Sequence, residues 1–245
     1  RFTTDKELSS SLINQIYQDR NGFIWIATED GLNRYDGAKF TIYKHEPNNE
    51  HSLAHNFVRT VFEDSKGHLL IGTYIGIQMY DPATDNFTPL AKLEDTGETL
   101  ESNINSFIER KNGEIWVSGN VLCKLDIKDH LLTVRKVDIA VTSPGSLFED
   151  KKQNVWMAKG EEGVYQLTPD NQLTLHLSKD NGYVKSICED QRGNIYVGSI
   201  RKGLFIYDKE RKTFVPIDLK EKGELPVCFL YSGIPNELYI GTDGR

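Results

Sequence analysis

The sequence lacks any apolar run near the roughly 18 residues of a membrane-spanning helix, and it has almost no helical periodicity. It lacks an initiator Met, an n-region and an apolar h-region, so a chain opening at Arg1 reads as a mature or excised fragment with any targeting signal elsewhere. It also lacks positive excess. The 29 Lys and Arg against 36 Asp and Glu leave a net charge of −7, and bases such as Lys151, Lys152, Lys209, Arg211 and Lys212 are scattered through turns. Nucleic-acid binding is dominated by phosphate contacts and needs a basic face, which argues against nucleic acid as a partner. Cysteine is scarce. Cys123, Cys188 and Cys228 cannot all pair and have no zinc-ligand spacing, so they read as small buried hydrophobes and leave the redox compartment open.

Catalytic signatures are missing too: there is no G-x-S-x-G, no P-loop and no G-x-G-x-x-G. The histidines (His45, His51, His55, His68, His130 and His176) fall in loops or at strand ends. His51 and His55 are four apart, but a loop-like linker gives that spacing no common face. Neither a metal nor a cofactor is expected.

What the sequence has is a repeat. One apolar run recurs as FIWIAT (23–28), LLIGT (69–73), IWVSG (115–119), VWMAK (155–159), IYVGS (195–199) and LYIGT (238–242). Its central residues Trp25, Leu70, Trp116, Trp156, Tyr196 and Tyr239 are spaced by 45, 46, 40, 40 and 43. An apolar segment ending in an Asp-x-x-Gly-like turn precedes it, as in NQIYQDRNG (14–22) and KSICEDQRG (185–193). A Gly-led segment with an aspartate follows, as in GLNRYD (31–36) and GLFIYD (203–208), and then a fourth, as in FTIYK (40–44), FTPL (87–90), LLTVRKV (131–137) and LTLHL (173–177). Each unit therefore predicts four short antiparallel strands, A to D, with turns such as Asn21-Gly22 and Asn112-Gly113 supplying positive φ.

The B segment is apolar on consecutive residues. A strand with one wet face alternates; Ile24-Trp25-Ile26 instead requires cover on both sides. Radial stacking of small sheets supplies that, so the expected fold is an all-β β-propeller of four-stranded antiparallel blades. The expected layout is an N-terminal strand closing the last blade (1–7), blade 1 (8–44), blade 2 (45–92), blade 3 (93–139), blade 4 (140–178), blade 5 (179–218) and the start of blade 6 (219–245). A ring of seven blades, completed beyond residue 245, is the expectation.

The repeated Glu-Asp pairs, Glu63-Asp64, Glu149-Asp150 and Glu189-Asp190, look like acid–base dyads. Their recurrence at one position of each unit points instead to carboxylates capping the next turn. Trp25, Trp116 and Trp156 read likewise as inter-blade core. Function is expected where units differ, in the B–C turns and D–A connections at one end of the blades. The candidate ligand-binding residues are Glu46, Asn49 and His51 in the 44–57 linker and Asn120 in the unusual SGNV turn (118–121). Lys159 and Glu161 of unit four and Arg201 and Lys202 of unit five complete the set. Such groups hydrogen-bond hydroxyls or pair with uronate or sulfate.

The stretch from Asp19 to Asp64 closely resembles the two-component-regulator propeller repeat, D-x-x-G-x-[IL]-W-[IV]-G-T-x-x-G-L-x-x-[YF]-[DN], whose linker reads N-x-x-S-L-S-x-N. Asn49, Ser52, Leu53 and Asn56 match that linker, and Leu8-Ser9 and Leu100, Ser102 and Asn103 resemble it. The units depart from the pattern at Leu70, Gln153 and Asn236. The resemblance implies the periplasmic sensor region of a hybrid two-component system. In such proteins one or two seven-bladed propellers precede an immunoglobulin-like domain, a transmembrane helix, a histidine kinase, a receiver and a helix-turn-helix domain. It implies oligosaccharide sensing without turnover, dimerisation through the whole ectodomain, and membrane contact only through segments outside this chain. A polysaccharide lyase or glycosidase on the same scaffold, and a protein-interaction scaffold, are the alternatives.

Overall fold

Short β-branched and aromatic runs separated by turn residues dictate a succession of narrow antiparallel sheets. The computed structural model describes residues 8–177, 182–219, 226–233 and 237–242. Blade 1 holds β1 (Ile13–Gln18), β2 (Ile24–Thr28), β3 (Gly31–Tyr35) and β4 (Phe40–Tyr43), paired in that order. Blade 2 holds β5 (Val58–Glu63), β6 (Leu69–Thr73), β7 (Ile77–Asp81) and β8 (Asn86–Phe87). After β9 (Lys92–Leu93), blade 3 follows with β10 (Ser106–Glu109), β11 (Ile115–Ser118), β12 (Leu122–Lys128) and β13 (Leu131–Lys136). Blade 4 comprises β14 (Leu147–Glu149), β15 (Val155–Lys159), β16 (Gly163–Leu167) and β17 (Leu173–Leu177). Blade 5 comprises β18 (Val184–Glu189), β19 (Ile195–Ser199), β20 (Gly203–Asp208) and β21 (Thr213–Ile217). The pair β22 (Val227–Tyr231) and β23 (Tyr239–Thr242) ends the series. Among the described residues there is no helix. The chain divides into two compact units, residues 1–142 and 143–245. The strand expected over 1–7 and the turn at Asn236 lie outside the described residues.

The core lies between blades. Leu69 and Ile71, with Val61 of their own blade, pack with Trp25 and Leu32 of blade 1, while Leu70 between them joins Ile104, Phe107 and Val117 of blade 3. Successive residues of a B strand thus serve opposite neighbours, which explains the unbroken apolar runs. In the second unit Trp156, Val164, Ile187, Val197 and Phe205 form the equivalent core. Each fully buried aliphatic or aromatic side chain contributes about 2 kcal/mol, so these interfaces carry most of the stability.

One carboxylate organises the A–B turn in blades 1, 2, 4 and 5. Asp19 Oδ1 accepts the Asn21 and Phe23 N–H groups, and Oδ2 accepts Trp25 Nε1 at 2.8 Å. Asp150 does the same for Lys152, Asn154 and Trp156, and Asp190 for Arg192, Asn194 and the Tyr196 hydroxyl. Blade 3 has Arg110 at this position, and Glu114 takes over. It accepts Trp116 Nε1 at 3.0 Å and Lys124 Nζ at 2.5 Å, with Arg110 stacked 4.6 Å over the Trp116 ring. Burial acts upward on the Glu114 carboxyl, but Lys124, Trp116 and Asn112 outweigh it and hold its pKa at about 2.

The last A-strand glutamate of blades 2, 3 and 5 reaches back to the preceding blade. Glu63 accepts the Arg20 N–H at 2.8 Å, Glu109 the Ser65 N–H at 2.7 Å, and Glu189 the Lys151 N–H at 3.1 Å. These partly exposed links contribute less than the apolar faces, but they fix how far one blade slides along the next. In the turns themselves the glycine alone has positive φ, +88° at Gly22 and +83° at Gly113, and not the Asn before it. Gln153 adopts +67° in the place of that glycine, so blade 4 keeps the turn at the cost of strain.

A second inter-blade lock sits on blades 1 and 2. Arg34 lies over the rings of Phe23, Trp25, Tyr43 and Tyr80 at 5.2–5.7 Å and pairs with Asp85 at 3.0 Å. The hydroxyls of Tyr43 and Tyr80 each donate to Asp85 at 2.6 Å. Blades 4 and 5 build the corresponding cluster from Trp156, His176, Tyr207 and Phe214, with His176 between Gln166 Oε1 at 2.7 Å and the Lys212 carbonyl at 3.0 Å.

The D strand of unit two is shorter than FTPL implied. It ends at Phe87, after which the chain turns out to form β9, which pairs in parallel with β13 (Lys92 with Thr133, Leu93 with Val134) and adds a fifth strand to blade 3. Parallel pairing through a two-residue strand leaves no periodic trace in sequence.

Three predictions follow from these contacts. Ile13 and Ile16 are 44% and 61% exposed, whereas the residues in the same register, Val58 and Val61 in blade 2 and Val184 and Ile187 in blade 5, are 0%, 1%, 2% and 9% exposed. Urea unfolding of this chain is therefore expected to show Ile16→Asp within about 0.5 kcal/mol of the parent and Val61→Asp destabilised by about 3 kcal/mol or more. Equal costs would contradict the burial pattern. Gln153→Gly is expected to raise stability by about 1 kcal/mol in the same assay, because glycine occupies positive φ without a Cβ clash. Burial acts upward on Asp85, but the two tyrosine hydroxyls and Arg34 prevail and hold its pKa below the usual carboxylate value. A depressed folded pKa contributes stability above the unfolded pKa and loses it as pH falls. The melting-temperature gap between the parent and Asp85→Asn should be full at neutral pH and close below about pH 4; a gap independent of pH would remove the charge from the lock.

Candidate functional site

Antiparallel order places the A–B turns at one end of every blade and the B–C turns and D–A connections at the other. At the A–B end of the first unit, a depression of about 230 Å3 is lined by Asp64, His68, Glu109, Glu114 and Lys124 among others. Three of its four acids are already engaged: Asp64 with the Lys66 and His68 N–H groups and His68 Nδ1, Glu109 with Ser65, Glu114 with Trp116 and Lys124. The repeated carboxylates are scaffold.

At the B–C end of the second unit, the turns of blades 4 and 5 are drawn together. Val184 N–H donates to the Gly160 carbonyl at 2.9 Å, and Ile200 N–H to the Tyr183 carbonyl at 2.9 Å. The 182–184 stretch is thus pinned between them. This arrangement brings Lys159, Glu161, Glu162, Gly182 and Arg201 around an open depression of about 400 Å3. Lys159 pairs with Glu162 at 2.7 Å and Arg201 with Glu161 at 3.1 Å. The Arg201 and Glu161 side chains are both more than half exposed, so water screens their attraction and a ligand able to bond both signs displaces it at small cost. Lys202 follows in the same turn, its N–H 3.3 Å from Ser199 Oγ.

In the first unit the candidates separate. Asn120 donates its N–H to Ser102 Oγ at 2.9 Å and borders a depression of about 740 Å3 whose other walls include Lys92, Glu98, Glu101 and Lys136. The hairpin carrying β9 supplies one wall, closed by the Leu93 N–H to Glu98 carbonyl bond at 2.7 Å and the Lys92–Thr99 bridge. Glu46, Asn49 and His51 instead hold the linker. Asn49 Nδ2 donates to Glu46 Oε2 at 2.8 Å, the Ser52 hydroxyl donates to the Asn49 carbonyl at 2.8 Å, and the His51 carbonyl accepts the Phe87 N–H at 2.9 Å. Lys92, Glu98 and Lys136 were not singled out from sequence; the charged run 92–98 between two blades was the available signal.

Three stretches, residues 7–30, 52–74 and 178–201, match the family model described as two component regulator propeller. Histidine kinase P4 of Formosa agariphila is 42% identical over 53 residues, which is 22% of this chain and 4% of that protein. The extracellular domain of a putative one-component system from B. thetaiotaomicron aligns over 98% of this chain and 36% of its own, with a TM-score of 0.78 and 17% identity. The extracellular domain of a putative hybrid two-component system from the same organism aligns over 99% of this chain and 40% of its own, with a TM-score of 0.65 and 19% identity. An inactive variant of virginiamycin B lyase from Staphylococcus aureus also aligns, over 96% of this chain and 80% of its own, with a TM-score of 0.69 and 12% identity. At these identities the structural likeness is one of fold, the β-propeller. The chain spans well under half the length of the kinase and of both extracellular domains. Those three stretches carry the repeat of the two component regulator propeller family.

Proposed function

We propose that this chain is the ligand-binding propeller of an extracytoplasmic, periplasmic sensor in a two-component system. It takes up an oligosaccharide released from a glycan and turns nothing over. The observation that carries this reading is the division of labour among its charged residues. The repeated carboxylates are spent on turns and blade links, while the unrepeated B–C turns of blades 4 and 5 gather two ion pairs, Arg201–Glu161 well exposed and Lys159–Glu162 less so, around an open depression. Supporting it are the repeat itself and the fold shared with extracellular domains of putative one- and two-component systems. The signal passes to a histidine kinase and its phosphorelay carried by segments outside these residues, with the whole ectodomain dimerising. The lyase likeness is one of fold.

Calorimetric titration with a panel of neutral and acidic oligosaccharides, with product analysis by mass spectrometry, tests the proposal. The expected outcome is saturable heat with one class of oligosaccharide, no product, and affinity lowered about tenfold by Arg201→Ala at unchanged melting temperature. Absence of heat across the panel, or accumulation of cleaved sugar, would sink it.

A further inference from the structure

Another group of side chains at the B–C end of the first unit is left with its bonding capacity unspent. Arg59, in β5, has its Nε buried with no acceptor among the described residues, and its Nη1 reaches only Asn105 Oδ1 at 3.4 Å. A buried cationic donor without a partner is costly, and native structures keep few of them. The guanidinium lies 5.3 Å from the ring centre of Phe57. Phe57 lies 6.1 Å from Tyr74, and Tyr74 5.6 Å from His55. The Phe57 N–H donates to His55 Nδ1 at 2.9 Å, so the neutral imidazole carries its proton on Nε2. Among the described residues neither that N–H nor the Tyr74 hydroxyl has a hydrogen-bond partner. Tyr74 is 53% exposed although its backbone is tied down, its N–H donating to the Phe57 carbonyl at 3.0 Å.

Aromatic faces with unspent polar edges, beside a fork of N–H groups, suit a ring with one apolar face, several hydroxyls and a carboxylate. Resting on the oligosaccharide reading above, we propose that Arg59, Phe57, Tyr74 and His55 form a subsite within the first unit for an acidic sugar, a uronate. Arg59 takes the carboxylate through its two terminal nitrogens, a geometry that a planar guanidinium offers and an ammonium does not. The rings of Phe57 and Tyr74 lie against the sugar face. The Tyr74 hydroxyl and His55 Nε2–H bond its hydroxyl groups.

Trimers of galacturonate, mannuronate and guluronate, with maltotriose and cellotriose as neutral comparators, are titrated into the chain by calorimetry, with the His55 and Tyr74 ring protons followed by NMR. At least one uronate trimer is expected to bind about tenfold tighter than either neutral trimer and to shift both rings. Arg59→Met abolishes that preference. Arg59→Lys retains the charge but loses most of the preference, and Tyr74→Ala, at an exposed position, weakens binding about tenfold without changing the melting temperature. Unaltered uronate affinity in Arg59→Met and Arg59→Lys, unshifted rings, or equally tight binding of polyglutamate would overturn the subsite. Binding of neutral trimers alone overturns it while leaving the oligosaccharide reading intact, whereas silence from every sugar removes both.

Discussion

In blades 1, 4 and 5 the structure hangs on a carboxylate at the end of the A strand. Its two oxygens divide the work: one closes the turn by accepting successive backbone N–H groups, and the other seizes the polar edge of the large B-strand side chain. The side chain so held spans the gap between blades. Local turn geometry and long-range packing are thereby settled by a single residue. The glutamate one position earlier then sets the spacing to the preceding blade. Blade 3 divides the two tasks, since Asn112 Oδ1 accepts the Glu114 N–H in the turn while the Glu114 carboxylate, from beyond it, holds Trp116.

This division explains what was legible in the sequence. The strands, the buried tryptophans and the capping aspartates could be read because each is enforced inside one repeat, by interactions a few residues long. The convergence of Lys159, Glu161 and Arg201 was half legible. Their turns break the repeat, and neighbouring blades bring the same turn side by side, but the pairing partners depend on rotamers. Glu46, Asn49 and His51 show the opposite case, because unrepeated polar residues in a long linker are needed to satisfy one another and the backbone. The β9 strand was illegible, as its pairing with β13 is parallel and only two residues long. So was the cluster around Tyr74, whose members occupy ordinary positions of the repeat and differ only in what they leave unbonded.

The two units reach similar packing with unlike chemistry. The ionic cluster of Arg34 and Asp85 under four rings gives way, in blades 4 and 5, to a histidine bridging a side-chain amide and a backbone carbonyl. A cation held against several aromatic faces contributes about 0.5–2 kcal/mol for each well-placed ring, so the first arrangement is the stiffer one. The charged loops of the second unit thus stand on the more adaptable of the two supports.

The hairpin that carries β9 has a further consequence. By covering β13 it denies a foreign strand the row of backbone donors and acceptors that would otherwise template aggregation there. The same hairpin forms one side of the largest hollow described in the first unit. One short piece of chain therefore both shields a strand edge and shapes a hollow, so a change made to one alters the other.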